Sequence, residues 1–261
     1  MSLHALVAWF ATLPIIGDPL FYAVAVPAVL LTGLSKSGFL GGFGALAVPL
    51  MSLAIPVPQA AAVMLPLLFV MDAAGLQQLW NDRDQALLRL LLPAGLIGTG
   101  VGTLLFGVLS TRAVSAVVGG LTLLFLAQRL FFPPRADDRP PSRALGVVLG
   151  VASGFTSFVA HAGGPPVSAY LLPLKLKPLV FSATTAVFFA AVNLSKWIPY
   201  GWLGLIDLRN MSTSLVLLPL APVGVFTGVW LARRIRPVWF YRFAYTGMLL
   251  AGMKLLWDGL R

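Results

Sequence analysis

Ten apolar segments follow one another along this chain, cut apart by proline, glycine and charged residues. They leave little hydrophilic surface with which to clothe a soluble fold. Of the 261 residues, 59% are apolar and 10% charged, against about 25% charged in soluble domains. In water such a chain would expose apolar area well beyond the roughly 300–600 Å² of the largest patch on a typical monomer. Alternating strands of about ten residues, the mark of a membrane barrel, are absent. The chain therefore reads as an all-α integral membrane protein whose first partner is the lipid bilayer.

Composition also removes several kinds of chemistry. There is no cysteine, hence no disulfide, thiolate metal site or cysteine nucleophile. All acids are aspartates, and the histidines are His4 and His161. One internal histidine cannot build a metal-dependent hydrolase, and no phosphate-binding Gly-x-x-x-x-Gly-Lys-[Ser/Thr] motif is present. No metal, no cofactor and no enzymatic activity are expected. The net charge of +10 is read as loop cations that orient the chain in its membrane. Nucleic acid is not an expected partner, because no fold signature of a nucleic-acid binder accompanies the charge. Residues 1–19 form an N-terminal apolar segment. Its stretch 3–16 contains Pro14 and lacks a basic leader, so an interfacial or partly inserted helix is expected and not a cleaved signal peptide.

The remaining segments fall into two series. The first repeat, 20–132, holds segments 20–34, 39–53, 58–80, 87–109 and 113–132. A polar linker, 133–143, follows. The second repeat, 144–258, holds segments 144–157, 163–174, 178–200, 210–232 and 238–257. Crossing the hydrocarbon takes about 20 helical residues, which the last three segments of each series supply. The first two segments of each are only about 12 to 15 residues, or about 18–22 Å of helix. They are read as a re-entrant hairpin of half-helices that turn at Gly38, Gly41, Gly42 and Gly44, and again at Gly154, Gly163 and Gly164; the alternative is that they are short full spans.

The halves match in register. Gly41-Gly42 and Pro56 recur as Gly163-Gly164 and Pro178 at an offset of 122; Pro93, Gly98 and Gly102 recur as Pro219, Gly224 and Gly228 at an offset of 126. This indicates internal duplication. A hairpin plus three spans crosses the membrane an odd number of times, so the second repeat must be inverted relative to the first. Two inverted repeats are a common plan of secondary transporters. Loop charge agrees. One face collects Arg83, Arg89, Arg129, Arg135, Arg139, Arg143, Lys175, Lys177, Arg233, Arg234, Arg236 and Arg242, and the other only Arg112, Arg209, Lys254 and Arg261. The richer face, linker included, is assigned to the cytoplasm. Both termini are expected on the extracytoplasmic side of a plasma (inner) membrane.

A few polar residues sit where lipid should be. Lys36 lies at the first glycine turn, and a cation at mid-depth is costly unless it faces a polar cavity. Snorkelling to the surface is its plainer reading. His161 lies at the matching turn of the second repeat. It is either a buried histidine tied to a carbonyl or a group whose charge changes near neutral pH. The turns would aim the amide ends of two half-helices at the membrane centre, an arrangement that attracts anions. Ser35, Ser37, Thr156 and Ser157 add hydroxyl donors. Asp72 lies within one residue of the repeat position of Asn193 and would pair with Lys36 or relay protons. Asn193 and Lys196 share a helix face. Lys196 is followed by Trp197, Tyr200 and Trp202, which read as an interfacial aromatic belt to which the lysine snorkels.

These motifs resemble the sulfite exporter TauE/SafE family. The stretches that carry the resemblance are Gly33-Leu-Ser-Lys-Ser-Gly-Phe-Leu-Gly-Gly-Phe-Gly44, Ala152-Ser-Gly-Phe-Thr-Ser-Phe-Val-Ala-His-Ala-Gly-Gly-Pro-Pro166 and Asn193-Leu-Ser-Lys-Trp-Ile-Pro-Tyr200. The resemblance implies a plasma-membrane anion transporter associated with export of sulfite, sulfonates and related oxyanions. By position it points to Lys36, Gly41-Gly42, His161, Gly163-Gly164, Asn193 and Lys196.

The combined expectation is a secondary transporter that exports a small sulfur-containing anion by alternating access. Its substrate site would comprise Lys36, Ser37, Gly38, Gly41, Gly42, Thr156, Ser157, His161, Gly163, Gly164, Asn193 and Lys196. Asp72 and His161 would serve coupling or ion pairing, with the proton as the candidate coupling ion and a homodimer as the candidate assembly. The rival readings are a passive anion channel, a transporter of another metabolite or a cation centred on Asp72, and a non-transporting structural membrane protein.

Overall fold

The computed structural model describes residues 13–36, 43–131, 141–232 and 237–261, and among these the chain is helical throughout, with no strand. In chain order the helices are α1 (Pro19–Lys36), α2 (Ala47–Met51), α3 (Val57–Leu79), α4 (Gln85–Val108), α5 (Thr111–Phe131) and α6 (Arg143–Ala160). They continue as α7 (Gly164–Leu171), α8 (Pro178–Ser195), α9 (Trp197–Trp202), α10 (Leu208–Leu217), α11 (Leu220–Ala232) and α12 (Pro237–Leu260). Among the described residues, six stretches are long and apolar enough to cross a membrane: Pro19–Lys36, Val57–Gln77, Gln85–Val108, Thr111–Gln128, Arg143–Ala160 and Pro178–Trp202. A helix suits that solvent because it satisfies its backbone internally.

Starts and stops follow local chemistry. The Asp84 carboxylate accepts from the amides of Ala86 and Leu87 and opens α4. The Ser142 hydroxyl caps α6 through Leu145, and Asp207 caps α10 through Asn210. Pro178 begins α8 at a position where a missing N–H costs nothing.

Two expectations require correction. Segments 20–34 and 144–157 are not 12 to 15 residues of helix. Helices α1 and α6 have 18 residues each, about 27 Å at 1.5 Å per residue. At α1 the apolar count stopped short because Ser35 and Lys36 are polar yet helical; at α6 it stopped at Ser157, although the helix runs on through Phe158, Val159 and Ala160. Second, segment 210–232 is not one unbroken helix. It breaks between α10 and α11 at Leu218 and Pro219. Pro219 has no N–H and its ring presses on the carbonyl one turn back; Pro222 removes another donor within the same turn. Bonds from Leu218 N–H to Leu215 and from Ala221 N–H to Leu218 tighten the backbone across the break. The segments at 39–53 and 163–174 are short: a 3₁₀ turn Phe43–Leu46 leads into α2, and α7 ends in a 3₁₀ turn Leu172–Leu174.

The halves interlock. Helix α4 packs most extensively against α6, α5 against α12, α1 against α11, and α3 against α8 and α10. Close approach rests on glycine. A Cβ on Gly98 would lie 2.0 Å from the Val151 carbonyl oxygen, and one on Gly154 would lie 1.9 Å from that of Gly95. On α1, a Cβ on Gly33 would meet the Gly224 carbonyl carbon of α11 at 2.7 Å. Outward, α4 presents Ile97, Val101, Leu104 and Val108 as an exposed apolar stripe at helical spacing. Water would oppose such a stripe; lipid accommodates it.

Candidate functional site

Helices α3 and α8 run antiparallel and meet where Asp72 accepts a hydrogen bond from Asn193 (Nδ2 to Oδ2, 2.6 Å). The other carboxylate oxygen of Asp72 pairs with the Lys36 ammonium, the last residue of α1. The Lys36 ammonium also lies 5.5 Å from the centre of the Phe189 ring. Asn193 turns its Oδ1 the other way and accepts from Lys196 Nζ at 2.8 Å. The flanking donor and acceptor thus dictate the orientation of the amide.

Lys196 sits at the joint between α8 and α9. The ring of Pro199 crowds the Ser195 carbonyl and supplies no N–H, so the helix cannot run on smoothly. Its Nζ donates to the Ser157 carbonyl (2.6 Å), the Ser157 hydroxyl (2.8 Å) and His161 Nδ1 (3.0 Å) as well as to Asn193. Four acceptors around one nitrogen suit an ammonium, which has three hydrogens to share, better than a neutral amine. His161 closes α6 in the left-handed conformation, φ 52°. Its Nε2 lies 2.9 Å from the Ala61 carbonyl. A carbonyl only accepts, so Nε2 carries the proton and Nδ1 is left to accept from Lys196.

Beside this chain of groups lies a cavity of about 130 Å³, well above the roughly 15 Å³ that one water needs. It is walled by Thr32, Ser35 and Lys36 of α1, Gly44 and Ala45, residues of α3 and α8, Ser157 and His161, and Gly164 and Ser168 of α7. The α3 wall is Leu68, Met71, Asp72, Gly75 and Leu79; the α8 wall includes Ser182, Thr185, Ala186, Phe189 and Asn193. Both are single helical faces. The hollow therefore extends from the polar cluster toward the C-terminal end of α3 and the N-terminal end of α8. There the Asp84 amide meets the Thr184 hydroxyl at 2.9 Å. In the opposite direction α3 is sealed: residues 60–65 are each 0% exposed. Gln59 donates to Asn210 (3.1 Å) and Ser214 to the Val63 carbonyl (2.8 Å), stitching α10 across that end.

Of the residues singled out by sequence, Lys36, Asp72, Ser157, His161, Gly164 and Asn193 line this one cavity. Ser37, Gly38, Gly41 and Gly42 lie outside the described residues. Thr156 is turned to its own backbone, donating to the carbonyls of Ala152 and Ala162. Gly163 packs against α6, its carbonyl accepting from Ser153 at 2.6 Å. Lys196 does not snorkel. It is 0% exposed and stands behind the wall formed by Ser157, His161 and Asn193. Nor is Tyr200 interfacial: it is buried and donates to the Phe158 carbonyl at 2.7 Å. Trp202, by contrast, is exposed. The expected amide donors at the start of α7 are also thinned, because its second and third residues, Pro165 and Pro166, have no N–H.

Sequence reading overlooked Thr32, Ser168, Ser182, Thr185 and Phe189. The signal was the spacing 182, 185, 189 and 193, one face of a helix ending in Asn193. The hydroxyls of Ser168 and Ser182 make no hydrogen bond to protein among the described residues and face the cavity.

The family model of the sulfite exporter TauE/SafE matches residues 25–255. No curated protein and no solved structure matches the chain.

Proposed function

The chain belongs to the sulfite exporter TauE/SafE family, a family of membrane transporters and not of enzymes, and from that premise we propose that it exports a small sulfur-containing anion, sulfite or an organosulfonate, by alternating access. The observation that carries this reading is a charge shortfall. Lys36 and Lys196 share one carboxylate, that of Asp72, and the other groups around them are neutral. An anion in the cavity supplies the missing charge, with Lys36 as its direct partner and the hydroxyls of Ser168 and Ser182 as further donors. A substrate cation centred on Asp72 fits poorly, because both carboxylate oxygens are already engaged.

The sealed N-terminal half of α3 favours a carrier over a continuously open channel. On the loop-charge assignment, the end toward which the cavity extends is cytoplasmic, so this conformation loads from inside the cell. Exchange between the two ends is served by the interlocking of halves: α4 on α6 answers α1 on α11, and α3–α8 and α5–α12 pair like with like. This reciprocal pairing supports a two-fold relation between the halves, as two inverted repeats would have. Proton coupling falls to Asp72 and His161. A proton reaches Nδ1 of His161 only when Lys196 lets go, so protonation and rearrangement of the cluster are one event.

The test is transport in proteoliposomes. Radiolabelled sulfite should enter saturably and show counterflow, and Lys36→Ala should abolish both. Transport indifferent to that substitution would remove the cavity from the pathway. His161→Asn, which suits the left-handed backbone, should flatten the pH profile; an unchanged profile assigns coupling elsewhere.

A further inference from the structure

We propose that Lys196 governs how tightly the cavity holds its anion without ever touching it. The proposal rests on the transporter reading above. It makes Lys196 a positioning residue that acts through charge and through its hold on three wall residues.

The placement carries the argument. Lys196 is 0% exposed and is separated from the cavity by Ser157, His161 and Asn193, each of which it contacts within 3.0 Å. None of its four acceptors bears a charge. The nearest carboxylate is Asp72, reached through the Asn193 amide. Asp72 is simultaneously bound to Lys36, whose side chain is 23% exposed while that of Asp72 is 4% exposed. If Lys196 were absent, Lys36 and Asp72 would neutralise each other and the hollow would hold no net charge. With Lys196 present the cluster carries one surplus positive charge. Lys196 is out of reach of solvent, so its charge is screened much less than one at the surface. The same ammonium occupies Nδ1 of His161 and Oδ1 of Asn193. It thereby keeps the Nε2 proton of His161 on the Ala61 carbonyl and the Asn193 amide donating to Asp72.

A charge role and a structural role part company in a compensation experiment. Sulfite binding to the purified full chain in detergent is measured by calorimetry, with melting temperature recorded for each variant. Lys196→Met should weaken sulfite binding by at least about tenfold, since a buried charge a few ångströms behind the wall acts on the anion through a low-dielectric medium. Adding Asp72→Asn to the same chain removes the opposing charge and frees Lys36. It should bring binding back to within about threefold of the unaltered protein. Lys196→Gln, which keeps a donor but no charge, stands in should the methionine variant fail to fold, with the same loss and the same recovery expected. Asp72→Asn alone should bind sulfite more tightly than the unaltered chain. A double variant that melts normally and still binds weakly would overturn the proposal, leaving Lys196 a strut. Failure of the unaltered protein to bind sulfite or any simple sulfonate would instead defeat the transporter reading, and this inference with it.

Discussion

The first and second halves of the chain repeat several glycines and prolines in register, but the lysines and the histidine at the centre do not repeat. The position 122 residues after Lys36 is Phe158, the position 122 before His161 is Phe39, and the position 122 before Lys196 is Ala74. Ser35 and Ser157 are a true match, and Asp72 and Asn193 meet one residue out of register. The difference has a physical reading. Close approach between helices is demanded in both halves, since α4 must nest on α6 and α11 on α1, so small residues are required twice. A charge at the centre is felt by the whole cavity and is required once. Two copies of a Lys–Asp pair would cancel within each half, whereas one lysine from each half around a single aspartate leaves a surplus.

That contrast can be broken by experiment, beginning where the effect is largest. Lys36→Ala should cost sulfite transport at least about thirtyfold, in line with the roughly 2–5 kcal/mol lost when one member of a buried charge pair is removed. At the matched position, Phe158→Ala should leave the substrate preference intact and instead lower stability by about 3–5 kcal/mol, the usual cost of emptying an aromatic site in a core. Equal effects of the two on transport would mean that the halves contribute alike. The glycines sharpen the other side of the comparison. Gly154→Ala should destabilise more than Gly33→Ala, because its new methyl would fall 1.9 Å from a carbonyl oxygen and not 2.7 Å from a carbonyl carbon. Overpacking of this kind costs about 1–3 kcal/mol, readable as melting temperature in detergent. Reversal of that order would refute the described packing. Smallest of all, Ser168→Ala and Ser182→Ala should each weaken sulfite binding by about three- to tenfold, the worth of one hydrogen bond. Neither change should affect melting.

Much of this is legible in the amino-acid sequence. Charge scarcity placed the chain in lipid, and registered glycines and prolines pointed to two related halves. The cost of burying Lys36, Asp72, His161 and Asn193 in hydrocarbon pointed to a common site. What escaped did so for identifiable reasons. Pro93 lies within an unbroken α4, so its partner Pro219 looked equally harmless; Pro222, three residues on, has no counterpart in α4 and completes the break. Lys196 stands among Trp197, Tyr200 and Trp202, which resemble a boundary belt. Pro199 bends the chain there, and Tyr200 and Lys196 end up inside while Trp202 remains outside. Ser168, Ser182 and Thr185 were invisible because hydroxyls are common in apolar helices and gain meaning only when several share a face.

The left-handed backbone at His161 has a practical consequence. A side chain held at φ 52° is tolerated by glycine, asparagine, aspartate and histidine and resisted by branched residues. A saturation library at this codon, sorted for surface expression, should therefore return a narrow set of survivors chosen by backbone sterics alone. Most will be well folded and inert. Ranking those survivors by growth under sulfite stress would then read the imidazole's contribution free of any folding defect.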